Sequence, residues 1–113
     1  MLPGQLVDGR IAFLKAELKI APAQETQWQQ VATAMRENAN ALDPVINTAR
    51  EQRGTMDAVQ RLTMREQFAK VRAENDARLL TAFKPLYASL SSEQQQIANE
   101  LVGSQHHSPH HHA

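Results

Sequence analysis

Leu90-Ser91-Ser92-Glu93-Gln94 and Ile20-Ala21-Pro22-Ala23-Gln24 carry one instruction twice: an apolar residue, a helix start, and a glutamine three residues further on. In the second copy Ser91 is placed to cap the helix and Gln94 sits at its third position. That is the capping box, in which each side chain satisfies a backbone N–H at the helix start. In the first copy Ala21 holds the cap position without a hydroxyl, while Pro22 and Gln24 keep the rest of the signal. Two helix starts of one kind, set far apart, predict two helical hairpins.

Working outward, Val7, Ile11, Leu14 and Leu18 recur at helical spacing, so a first helix is expected over about 5–19. A second runs from Pro22 with Trp28, Val31, Met35 and Leu42 on one face. It is expected to break or bend at Asp43-Pro44, because proline is tolerated at a first helical turn and disrupts an interior. A continuation over 44–53 then ends at Gly54. Thr55 is read as the cap of the longest helix, with Asp57 in its first turn. Its apolar side carries Val59, Leu62, Met64, Phe68, Val71, Leu79, Phe83 and Leu86, with no large apolar residue from Arg72 to Arg78, and Pro85 is expected to kink it. The last helix follows Ser91, carries Ile97, Leu101 and Val102, and is closed by Gly103. No run alternates with period two, so the fold class is all-α, with about four helices in two hairpins.

The chain has 113 residues, a formal charge of zero and no cysteine. Its length suits one domain, read as 1–103, followed by a disordered His-rich tail over 104–113. Zero net charge argues against a general nucleic-acid binder. The 42% hydrophobic fraction includes seventeen alanines, so the core is thin, and dimerisation is one way to stabilise it. No stretch approaches the ~20 apolar residues of a membrane span. Met1-Leu2-Pro3-Gly4 shows no signal peptide, so a secreted protein would be in its mature form.

Leu18 to Gln24 and Leu90 to Gln94 resemble the paired Leu-Thr-x-x-Gln motifs of the Spy/CpxP family of periplasmic proteins, although neither copy keeps the threonine. The run Gly9 to Leu18, then Gln27-Trp28, Ala34-Met35-Arg36 and Phe83 to Leu90, is similar to the branch of that family common in alpha-proteobacteria. The resemblance covers roughly residues 4–102. It implies a curved all-helical protomer, an antiparallel homodimer shaped as a cradle, a periplasmic location and ATP-independent chaperone activity toward unfolded clients. A regulator that binds the periplasmic domain of a sensor kinase, and a metal-stress protein, are the alternatives it leaves open.

All five histidines, His106, His107, His110, His111 and His112, lie in the tail, so the domain offers no imidazole or thiol for nucleophilic or general-base chemistry. The protein is therefore read as a binder and not an enzyme, without a cofactor. The tail itself, native or an appended tag, would bind Zn, Ni or Cu through neutral imidazoles. Between Arg50 and Arg78 six arginines and one lysine face five acids. This is either a solvated face laced with ion pairs or a client surface in which Arg61, Arg65 and Arg72 flank Met64, Phe68 and Val71. Methionine adapts its shape and arginine contacts both carboxylates and aromatic rings, which suits loose binding of unfolded chains. Trp28 is read as a core anchor against the first helix, with a partly exposed client contact as the alternative.

Overall fold

The computed structural model describes residues 3–105, and no strand occurs among them. Four helices follow in order: α1 (Pro3–Leu18), α2 (Glu25–Glu51), α3 (Ala58–Ser89) and α4 (Ser92–Gln105), with a 3-10 turn at Pro22–Gln24 leading into α2. The expected all-α class is what forms. The tail histidines His106, His107 and His110 to His112 lie outside the described residues.

The long helices α2 and α3 lie antiparallel and share the largest interface, while α1 lies along α2 and touches α4. At this end the core forms: Trp28 and Leu86 are fully buried, and Val7, Ile11, Leu18, Val31, Leu90 and Ala98 close around them. Alanines at 32 and 39 are buried too, and their small side chains let the helices approach. The stripe predicted for α1 is the one it buries, with Leu14 half-buried.

Beyond this base, α2 and α3 continue alone as a two-helix arm. None of residues 40–85 is buried. A polar tie marks the boundary: Asn38 Nδ2 donates to the Asn75 carbonyl at 3.0 Å and Asn75 Nδ2 to the Asn38 carbonyl at 3.1 Å. Arg78 Nη1 donates to both amide oxygens, at 2.7 and 3.1 Å. The apolar gap at 72–78 is thus the place where side-chain amides replace packing.

Several local expectations are corrected. The helix does not break at Asp43-Pro44, and α2 runs unbroken through Pro44 for 27 residues. α3 also runs through Pro85 to Ser89 without interruption, a continuity with which the kink expected at Pro85 is compatible. Each proline deprives a carbonyl four residues back of its donor. Those carbonyls belong to Asn40 and Thr81, both exposed residues, so water replaces the lost partner. The cap of α3 is Asp57, not Thr55: Gln60 N–H donates to Asp57 Oδ1 at 2.8 Å, and Asp57 N–H to Gln60 Oε1 at 2.9 Å. Asp is a better cap than Thr, and with Gln60 it completes a third capping box. Gly103 does not end α4, which runs on to Gln105.

The two original boxes differ as their cap residues dictate. Ser91 Oγ accepts from the Gln94 N–H at 3.2 Å, leaving the Ser91 carbonyl for Gln95 N–H at 2.8 Å, an α-helical bond from the outset. Ala21 has no hydroxyl, so the Gln24 N–H closes on the Ala21 carbonyl at 2.8 Å as a 3-10 turn. Ala21 already has the extended backbone of a cap residue, φ −84° and ψ 159°. Ala21→Thr is therefore expected to stabilise, and Ser91→Ala to destabilise, each by about 0.5–2 kcal/mol. Denaturant midpoints at matched slopes measure both, and equal midpoints for all three proteins would remove capping from the account.

Candidate functional site

Each motif glutamine does more than cap its own helix. Gln24 Oε1 takes the Ala21 N–H at 2.9 Å and Gln94 Oε1 takes the Ser91 N–H at 2.8 Å. Their amide nitrogens then cross the molecule to each other: Gln24 Nε2 donates to Gln94 Oε1, and Gln94 Nε2 to Gln24 Oε1, both at 3.0 Å. Gln24 Nε2 also reaches the Ser89 carbonyl at 2.9 Å, while Gln94 Nε2 reaches the carbonyls of Leu18 at 2.9 Å and Lys19 at 3.1 Å. The two helix starts are thereby clasped back to back, with Gln24 the only buried polar residue described.

Lys19 makes that geometry possible. Lys19 N–H donates to the Ala16 carbonyl at 3.2 Å and Ile20 N–H to the Lys15 carbonyl at 3.4 Å, the paired bonds of a Schellman motif. The motif places Lys19 at φ 54°, a left-handed conformation normally given to glycine. This turn ends α1 with two neighbouring carbonyls aimed at Gln94. Beside it, Lys15 Nζ and Glu25 lie 3.1 Å apart, tying α1 to the first turn of α2. The Gln29 amide, followed by Lys15, holds the Glu25 carboxyl below its ordinary pKa. A lowered folded pKa contributes stability above the unfolded pKa and loses it as pH falls through the folded one, a small effect at this exposed site.

A second arrangement runs along one side of the α2–α3 pair. At the base, Trp28, Met35 and Leu42 of α2, Leu79 and Phe83 of α3, and Leu101 of α4 line a half-open cleft of about 490 Å³. Further out, Arg53, Met56, Arg61, Arg65, Phe68 and Arg72 surround a hollow of about 500 Å³, with Met64 in its lining. Both depressions lie on one side, because Met35, Leu42 and Ala49 on α2, and Arg65, Arg72 and Leu79 on α3, follow at steps of seven. The other side carries no aromatic or methionine in its depressions. Thr26, Gln29, Gln30, Thr33 and Glu37 line it at the base beside Ala34 and Ala82, and Pro44, Val45, Thr48, Gln67, Lys70, Val71 and Glu74 along the arm.

A model of the LTXXQ motif family matches residues 6–102. The chain belongs to the LTXXQ motif family. That family contains Spy/CpxP-like periplasmic proteins and is typically periplasmic. No curated protein and no solved structure matches the chain. The matched range holds all four helices' packed parts and both glutamines, so the clasp is how this LTXXQ protein uses its motif. Among the described residues no helix is long and apolar enough to cross a membrane, and no three His, Cys, Asp or Glu gather to hold a metal ion.

The motif residues Leu18, Ile20, Gln24, Trp28, Leu90, Ser91 and Gln94 converge at the base of this LTXXQ protein. Trp28 is 1% exposed, which places it in the core, at the floor of the cleft. Of the arm residues singled out from sequence, Arg61, Met64, Arg65, Phe68 and Arg72 share the outer hollow. Val71 does not join them: it faces the opposite side, next to Pro44 and Val45. Reading the arm from α3 alone missed Arg53 and Met56, which come from the inter-helix turn. The seven-residue steps from Met35 through Leu42 and Ala49 to Met56 were the available signal.

Proposed function

We propose that this LTXXQ protein is a periplasmic, ATP-independent chaperone that holds unfolded clients on the cleft-bearing side of α2 and α3, as an antiparallel homodimer. The observation that carries the reading is that one side of α2 and α3 joins an open cleft of large apolar side chains to a methionine- and arginine-lined hollow, whereas the depressions on the other side are lined by small aliphatic and polar residues without an aromatic or a methionine. Adaptable apolar side chains with cations beside them suit many weak contacts rather than one exact fit. No reacting group is required for this task, which is consistent with a binding protein without a catalytic site.

The homodimer rests on α3. Val59, Leu62 and Leu80 are 72%, 60% and 54% exposed and, with exposed Ala69 and Ala73, form an a/d stripe interrupted by Glu66 and Asp76. Laid antiparallel on a copy of itself, the stripe puts Leu62 opposite Leu80 and Ala69 opposite Ala73, where small side chains permit close approach, and it sets Glu66 opposite Asp76, a like-charge pair that makes the association weaker at low salt. An arm without a buried residue gains its third layer this way.

Equimolar protein is expected to suppress aggregation of several unrelated unfolding substrates without ATP. Replacing Arg61, Arg65 and Arg72 with glutamate should weaken the effect and its salt dependence, since charges in water are screened over about 10 Å at 0.1 M salt. Leu62→Glu with Leu80→Glu should yield a monomer in sedimentation equilibrium. A folded wild-type dimer that leaves aggregation untouched would overturn the chaperone reading. A single saturable partner in its place would assign the protein to the sensor-kinase regulators.

A further inference from the structure

The outer hollow of the arm has a property that client holding does not require. Four guanidinium groups, of Arg53, Arg61, Arg65 and Arg72, line one depression, and no carboxylate lines it with them. Among the described residues no ion pair or hydrogen bond occupies any of the four, whereas Arg36 and Arg78 nearer the base are paired with Asp8 and Glu37. Two acids adjoin the lining in sequence, Asp57 after Met56 and Glu66 after Arg65, and neither lines the hollow; Asp57 Oδ1 accepts the N–H of Gln60. The floor between the arginines is Met56, Met64 and Phe68, each half-buried, with Ala49 and Ala69 beside them.

We infer that this hollow binds a phosphate-bearing lipid headgroup, so that the arm of the protein docks on an anionic membrane surface. Arginine presents a planar fork of donors that matches phosphate oxygens two at a time, and four uncommitted forks around one depression form a cation cluster without internal neutralisation. The apolar floor accepts the first part of the attached hydrocarbon, as basic amphipathic helices do at an interface. An extended acidic peptide fits less well. Apart from the turn that carries Arg53 and Met56, the lining is α-helical with its backbone groups bonded internally, so a peptide would be held loosely through side chains, as clients are, while a headgroup is matched fully by side chains alone.

The full chain, mixed with phosphatidylglycerol vesicles at low salt, is expected to co-sediment with them and to remain in solution with phosphatidylcholine vesicles. Arg61→Gln with Arg65→Gln and Arg72→Gln should weaken the vesicle partition by roughly 100-fold, counting about fivefold for each of the three basic contacts at an anionic surface. Met64→Ser with Phe68→Ser should also weaken it, while circular dichroism shows the helices intact. Calorimetry with glycerol phosphate and with a polyglutamate peptide completes the test. Absence of binding to phosphatidylglycerol, unchanged partition in the triple glutamine variant, or tighter binding of polyglutamate than of the vesicles would each overturn the inference. Glycerol phosphate binding without vesicle binding would do so too, since it leaves the apolar floor without a role. The aggregation assay is independent of all these arms, so chaperone activity and lipid docking stand or fall separately.

Discussion

Replacing Gln24 by alanine is expected to lower folding stability by about 3 kcal/mol, as three partly buried polar groups lose a partner at the lower end of about 1–3 kcal/mol each. The Ala21 N–H loses the acceptor that now sits 2.9 Å away, the Ser89 carbonyl loses a donor at 2.9 Å, and Gln94 loses both bonds of the reciprocal pair. Gln94→Ala should cost a similar amount, because although Gln94 is half-exposed it leaves the amide of buried Gln24 and the carbonyl of buried Leu18 without their partner. Gln24→Glu is the sharper probe. It keeps the acceptor for Ala21 but turns a carboxylate toward the Ser89 carbonyl and Gln94 Oε1, so it should be no better than alanine at neutral pH. A double-mutant cycle on the two glutamines, read from urea midpoints, should give a coupling well above 0.5 kcal/mol. Additive losses would mean that the cross-molecule pair contributes nothing beyond two separate caps.

Trp28→Ala should have the largest effect of any single change. Truncating a buried aromatic costs about 3–5 kcal/mol, and a domain of this kind has only about 5–15 kcal/mol in total. The site has little means to collapse around the loss. Its neighbours Ala32, Val31 and Ala98 are short, and the cleft beside it is already open, so the ring's volume would be added to existing empty space. Thermal melts followed by circular dichroism should show the variant partly unfolded at 37 °C, with Trp28→Phe intermediate. A melting point within a few degrees of wild type would show that Trp28 serves the cleft and not the core.

What could be read from the chain in advance was whatever depends on neighbours in sequence. The stripe of α1, the helix starts at Pro22 and Ser92 and the role of the glutamines as capping residues follow from spacing of three and four. The pairing of Gln24 with Gln94 did not, because nothing in either five-residue stretch states that its spare amide N–H groups are meant for a partner 70 positions away. The failures at Pro44 and Gly103 have a common cause: both are local helix breakers in propensity, yet Pro44 is exposed and Gly103 adds nothing that packing must resist, so each is tolerated. The Thr55 assignment failed between two adequate caps, and Gln60 decided it in favour of Asp57. Which residues share the outer hollow required knowing that α2, α3 and the turn between them meet there, since Arg53 and Met56 belong to neither helix.

The Asn38–Asn75–Arg78 tie has a consequence for how the molecule comes apart. It crosses between α2 and α3 at the foot of the arm, and beyond it toward the tip no described residue of either helix is buried. Amide protons of the free protomer should therefore exchange in two classes, those from the tip to the tie through frequent local opening and those of the base only through global unfolding. A fluctuation that frays the arm stops at the amides and leaves the clasp shut. The arm can loosen while the base that keeps the protein folded stays closed.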